Sequence, residues 1–144
     1  MRIALGNDHA AWEEKFAVLA QLEDAGHTVT NLGADTSEST DYPERAAQVA
    51  RFVASGDADL GIIVCGSGIG VSIAANKING VRAALCHSVE TARLARQHND
   101  ANIICLGARV LPLDVLSGAV EAFLTTEFEG GRHARRVDGI HALE

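Results

Sequence analysis

No apolar run in this chain approaches the roughly 20 residues that a membrane-spanning helix needs, which excludes a helical membrane protein. The N-terminal stretch MRIALGNDH has one arginine and a very short apolar run ending at Asp8. It is too short for a signal peptide and reads as a first strand, so the expected compartment is the cytoplasm. Cysteine is scarce. Cys65, Cys86 and Cys105 are odd in number and widely spaced, which argues against a disulfide framework and against a CxxC zinc pair. Positive charge is also short. Lys and Arg number 12 against 19 Asp and Glu, and a formal net charge of -7 argues against general affinity for nucleic acid. Repeats, low-complexity tracts and linkers are missing, so 144 residues with 47% hydrophobic content read as one domain over 1–144.

What is present is an alternation of strand and helix. Strands are predicted at Arg2–Gly6, His27–Leu32, Asp59–Cys65, Arg82–Cys86 and Asn102–Gly107. A helix is predicted over Ala10–Ala25, with Phe16, Leu19 and Leu22 on its packed side and Gly26 as its stop. Further helices open near Pro43, at Val71–Lys77, after Ser88 as an N-cap with Thr91 in the first turn, and over Leu113–Thr125. The tail after Gly130 is expected to end as a short helix. This order predicts an α/β fold: a doubly wound, three-layer α/β/α sandwich with a five-stranded parallel sheet, Rossmann-like or flavodoxin-like. In such folds ligands bind beyond the carboxyl ends of the strands.

Those ends carry polar or reactive residues: Asp8 and His9 after the first strand, CGSG (65–68) after the third, Cys86-His87-Ser88 after the fourth, and Arg109 after the fifth. CGSGIG (65–70) is a poor nucleotide loop. Its glycines fall as G-x-G-x-G in the third unit rather than the first, and no Gly-Lys-Ser/Thr follows. Its amides at a helix start could instead cradle negative charge and lower the Cys65 pKa toward thiolate, with Ser67 as a hydroxyl donor. That is what proton abstraction beside a carbonyl requires. Taken alone, Cys65 also reads as a small buried hydrophobe, Asp8 as a turn or helix cap, and His98 and Asn99 as a helix stop. Cys86 beside His87 is a rival thiol–imidazole pair, read here as core and surface. Arg132, Arg135 and Arg136 read as a solvated charge run or, in an acidic protein, as a grip on a small anion.

DHA (8–10), TDYP (40–43), CGSGIGVSIAANK (65–77), RQHNDAN (96–102), GARV (107–110) and GGRHARRV (130–137) resemble the type B ribose-5-phosphate isomerases. The wider family includes allose-6-phosphate, galactose-6-phosphate and some tetrose-phosphate isomerases. The resemblance implies an aldose–ketose isomerisation of a sugar phosphate through a cis-enediol, with no metal and no cofactor. It assigns Cys65 as the base; a second branch uses a glutamate where this chain has Val71. Ser67 and the amides of Gly66, Gly68 and Gly70 would stabilise the enediolate. His98 would open the furanose ring with Asp8 on an oxygen, and Tyr42 and Asn99 would meet sugar hydroxyls. His9, Arg109, Arg132 and Arg136 would hold the phosphate, with Arg135 left in solvent. The resemblance also implies a homodimer, or a dimer of dimers, with shared sites and with residues 130–144 at the subunit interface. Ala11 and Trp12 stand where relatives usually carry glycine and a smaller aromatic ring, placing Trp12 either to cap the core or to narrow the sugar end. Competing readings are an isomerase of another aldose phosphate, a non-catalytic phosphosugar-binding module, and a flavodoxin-like nucleotide binder.

Overall fold

The computed structural model describes residues 1–144. Five parallel strands, β1 (Arg2–Asn7), β2 (Thr28–Asn31), β3 (Leu60–Cys65), β4 (Ala83–Leu85) and β5 (Ile103–Gly107), form one sheet in the order β2-β1-β3-β5-β4. The last two strands are therefore exchanged relative to the 2-1-3-4-5 flavodoxin order. Helices α1 (Trp12–Asp24), α4 (Val89–Asn99) and α5 (Leu113–Thr125) cover one face, where Leu22, Ala95, Leu116 and Phe123 pack on Leu5, Ile62, Ile104 and Leu106. Helices α2 (Tyr42–Ala54) and α3 (Ile69–Ala75) cover the other through Val49, Val53, Val71 and Ala75 against Ala4, Ile63 and Cys105. Both faces are sealed, which is why LGIIV in β3 is apolar without alternation. A final helix, α6 (Arg132–His141), packs on α4.

Local chemistry accounts for most boundaries. Ser88 accepts from Thr91 N–H at 3.0 Å, and Thr91 Oγ1 accepts from the Ser88 amide at 3.1 Å, closing a capping box at the start of α4. Pro43 sits in the first turn of α2, where its missing N–H costs nothing. Helix α3 spans Ile69–Ala75, two residues ahead of the predicted Val71–Lys77, and the first helix departs further. Residues His9–Ala11 form a single 3₁₀ turn capped by Asp8, and α1 begins only at Trp12. The new phase turns Lys15, Val18 and Leu22 inward and leaves Phe16 exposed. The predicted packed side of Phe16, Leu19 and Leu22 was thus wrong for Phe16. Its ring roofs the Lys15 ammonium at 4.5 Å and meets Trp12 edge-on at 6.3 Å. Trp12 does not narrow the sugar end; it is half-buried and does not border the cleft described next.

Candidate active site

Beyond the carboxyl ends of β1, β3 and β5 lies a cleft of about 610 Å³. The fully buried β3 delivers Cys65 to its floor, and the sequence that follows must turn sharply. Gly68 makes that turn with φ +80°, a left-handed conformation that any side chain would strain, and a Cβ there would lie 2.6 Å from Leu85 Cδ1. The turn aims the Gly68 amide at Cys65 Sγ, 3.0 Å away. Cys65 is nearly buried, and burial pushes its thiol above the ordinary cysteine value. The Gly68 amide pulls it back, the Asp8 carboxylate pushes it further up, and the Ser67 and Val71 amides pull it down. The expected lowering toward thiolate is therefore overturned in the free chain: desolvation outweighs the amides of a helix only two turns long.

The neighbouring loops place the rest. The Asp8 amide donates to Val64 O at 3.3 Å, which ties the end of β1 to the end of β3, and Asp8 Oδ1 accepts from the Ala10 amide at 2.9 Å. Asp8 is thus both helix cap and cleft wall. His9 Nδ1 accepts from the Thr40 amide at 3.3 Å. The Arg109 amide donates to Gly66 O at 3.0 Å, and its side chain crosses above Gly66. Tyr42 lies so close over Gly70 that a Cβ there would stand 2.6 Å from the ring. Asp8, His9, Tyr42, Cys65, Gly66, Ser67, Gly70 and Arg109 all border this cleft. Gly68 does not: it faces Leu85, Leu106 and Gly107, and its amide is committed to the sulfur, as the Ile69 amide is to Ser67 Oγ at 3.2 Å.

The other expected residues lie elsewhere in the same chain. Helix α4 leaves the carboxyl end of β4 and runs back to the amino end of β5, so His98 and Asn99 finish at the opposite edge of the sheet. Arg82, just before β4, confirms that position: its guanidinium donates to Asn99 O at 3.1 Å and to Asp100 O at 2.7 Å. At about 3.3 Å per residue, a six-residue strand puts the two edges roughly 20 Å apart. Arg132 and Arg136 are exposed on α6 beside this second group, where His133 stacks on His98 with centroids 4.3 Å apart. The predicted parallel sheet already implies this separation, because a helix joining two parallel strands must end at their amino edge.

His98, Glu129 and His133 bring potential metal-ligating atoms within 4.8 Å of one another. Their rings are stacked at 12°, so one ion cannot lie in both ring planes, and the arrangement is not a preformed metal site. The rival pair also fails. Cys86 is buried with its thiol pushed up to about 11 by burial, while His87 faces outward. A separate surface groove of about 640 Å³ beside Arg45 and Arg51 is lined by no cysteine or histidine. Sequence reasoning missed Ile69 and Ile73, apolar residues on the cleft rim that are 51% and 58% exposed. It also missed Arg82 and Lys15, whose roles depend on contacts distant in sequence.

A ribose/galactose isomerase family model matches residues 3–140. The chain belongs to this family. It is 46% identical over 143 residues to ribose-5-phosphate isomerase B of Escherichia coli K12, covering 99% of this chain and 96% of that one. It is 42% identical over 145 residues to D-erythrulose-4-phosphate isomerase of Pectobacterium atrosepticum, covering 100% and 95%. Its fold superposes on the solved ribose-5-phosphate isomerase B of Clostridium thermocellum with a TM-score of 0.98 at 45% identity, covering 99% of this chain and 97% of that one. The Cys65 thiol lies where β3 ends beside β1 and β5. No helix is long and apolar enough to cross a membrane.

Proposed function

We propose that this protein interconverts D-ribose 5-phosphate and D-ribulose 5-phosphate by proton transfer between C2 and C1, with Cys65 as the base. The observation that carries the reading is the sulfur on the floor of a cleft shared by Asp8, His9, Ser67 and Arg109, in a chain of this family. In the forward direction the Cys65 thiolate takes the C2 proton of the open-chain aldose. The electron pair moves into a C1–C2 double bond and leaves a cis-enediolate. The same thiol then returns its proton to C1 while the O2 hydroxyl proton passes to O1, so that O1 becomes the hydroxyl and O2 the ketone. The Ser67 hydroxyl and the uncommitted amides of the turn stabilise the oxyanion. His9 and Arg109 bind the phosphate, where the guanidinium fork supplies parallel donors.

We further propose that the site is completed by a second copy of the chain, which brings its own His98, Asn99, Arg132 and Arg136 to the cleft. Three observations support this: those residues are remote from Cys65 within one chain, the rim presents Ile69 and Ile73 to solvent, and Tyr42 is 44% exposed beside them. The second copy's His98 would then open the sugar ring, and residues 130–144 would lie at the interface. A tetrose phosphate is the second substrate reading, favoured by the 42% identity to the erythrulose-phosphate enzyme. Tetrose, pentose and hexose phosphates assayed in D₂O distinguish the two. Deuterium uptake at C1 or C2 fastest with ribose 5-phosphate is expected, and a faster tetrose phosphate would replace the pentose assignment.

A further inference from the structure

Lys15 has no exposed side-chain surface, yet it carries a charge into a layer that Val18 and Leu22 otherwise keep apolar. An apolar side chain would fill the same space without desolvating an ammonium. What the ammonium does is hold a loop. Nζ donates to Ala34 O at 2.7 Å, to the Asp35 carboxylate, and to Asn31 Oδ1 at 3.4 Å, with the Phe16 ring above it. Ala34 O is also the acceptor for Asn7 Nδ2 at 3.0 Å, and that same amide nitrogen donates to Asp8 O at 2.7 Å. The carbonyl of Ala34 therefore joins the start of the β2–α2 loop to the residue preceding Asp8. The loop then returns to the end of β1, where its Thr40 amide donates to His9 Nδ1.

An accepting Nδ1 puts the proton of a neutral imidazole on Nε2, the nitrogen left free to donate to an anion. We infer that Lys15 is a positioning residue: by pinning residues 31–35 to α1 and β1 it seats the Thr40 amide on His9 and fixes His9 as an Nε2–H donor toward the phosphate of the substrate. The functional half of this inference rests on the reading that His9 meets the phosphate; the tautomer half does not. Asp35 is the loop's side of the clamp, and it is 62% exposed, so Asp35→Asn keeps the side-chain shape outside the core while removing the charge opposite the buried ammonium.

The test uses Lys15→Met and Asp35→Asn in the full-length protein, read first by nitrogen-15 NMR of the His9 ring without substrate. In the wild type the ring should show a single Nε2–H tautomer, and in both variants a mixture. Steady-state kinetics with ribose 5-phosphate should then show KM raised in proportion to the loss of the Nε2–H tautomer, about two-fold for an even mixture, with kcat little changed. Loss of stability alone would lower active protein without moving either the ring signals or KM. Unchanged His9 signals in Asp35→Asn overturn the inference even if Lys15→Met fails to fold. A shifted tautomer with unchanged KM upholds the clamp and removes His9 from the phosphate site.

Discussion

The amide of Gly68 donates to the sulfur of Cys65 across 3.0 Å, and this one bond sets the character of the site. A neutral thiol gains little from an N–H donor, whereas a thiolate gains a charge-assisted bond. The glycine is needed because the donor can be aimed only from a left-handed backbone. Replacing Cys65 with alanine removes the base and leaves the rest of the cleft in place. Turnover should fall by about 10²–10⁴, the range for a positioned acid–base group, while binding of ribose 5-phosphate measured by calorimetry persists. Near-normal kcat in Cys65→Ala would end the proposed mechanism.

The pH dependence follows from the same balance. Burial and Asp8 raise the Cys65 thiol above its ordinary value, so only a minority is thiolate at neutral pH in the free protein. Because the thiolate is the active form, kcat/KM should climb as pH rises toward the thiol's value, then level off. Asp8→Asn removes a negative charge that opposes ionisation, so the thiol should titrate at lower pH. Thiolate absorbance near 240 nm on pH titration, with Cys65→Ala as the blank, reads this directly. An unmoved or upward-shifted titration in Asp8→Asn would show that the two groups do not communicate.

Much of this was readable before any coordinates. The unbroken apolar run of β3 announced a strand covered on both faces, and Ser88 with Thr91 announced the start of α4. Cys65, Asp8, His9 and Arg109 converge because each follows a parallel strand, and parallel strands end at one edge. What escaped was information held in three dimensions. Phe16 was placed inward because hydrophobicity ranks it there; a 3₁₀ turn reset the helix phase and gave the place to Lys15, whose partners lie 16 to 20 residues away. His98 and Asn99 are a different case: a helix joining two parallel strands must end at their amino edge, so the predicted topology already separated them from the thiol, and only the family resemblance grouped them with it.

Arg109 provides a test of phosphate binding within one chain. Its guanidinium is exposed beside Gly66 and forms no ion pair in the fold, so its removal should not affect stability. A charged hydrogen bond contributes about 1.5–3 kcal/mol, which predicts a KM roughly 10- to 100-fold higher for Arg109→Ala. Since the phosphate is remote from C1 and C2, kcat should change far less. Equal losses in kcat and kcat/KM, with KM constant, would place Arg109 on the reacting atoms instead.

The separation of Cys65 from His98 by the depth of the sheet predicts complementation. If each site takes its base from one chain and its ring-opening histidine from another, Cys65→Ala and His98→Asn dimers are each inactive for different reasons. A hybrid of the two has one site with both defects and one with neither. Unfolding and refolding an equimolar mixture yields hybrids as half of all dimers, and half of their sites are intact, so about a quarter of wild-type activity should return. Each variant refolded alone supplies the baseline. Recovery no greater than that baseline, in a sample shown by sedimentation to be dimeric, would mean that Cys65 and His98 do not work across an interface, and His98 would lose its place in the mechanism because its own chain holds it at the far edge of the sheet.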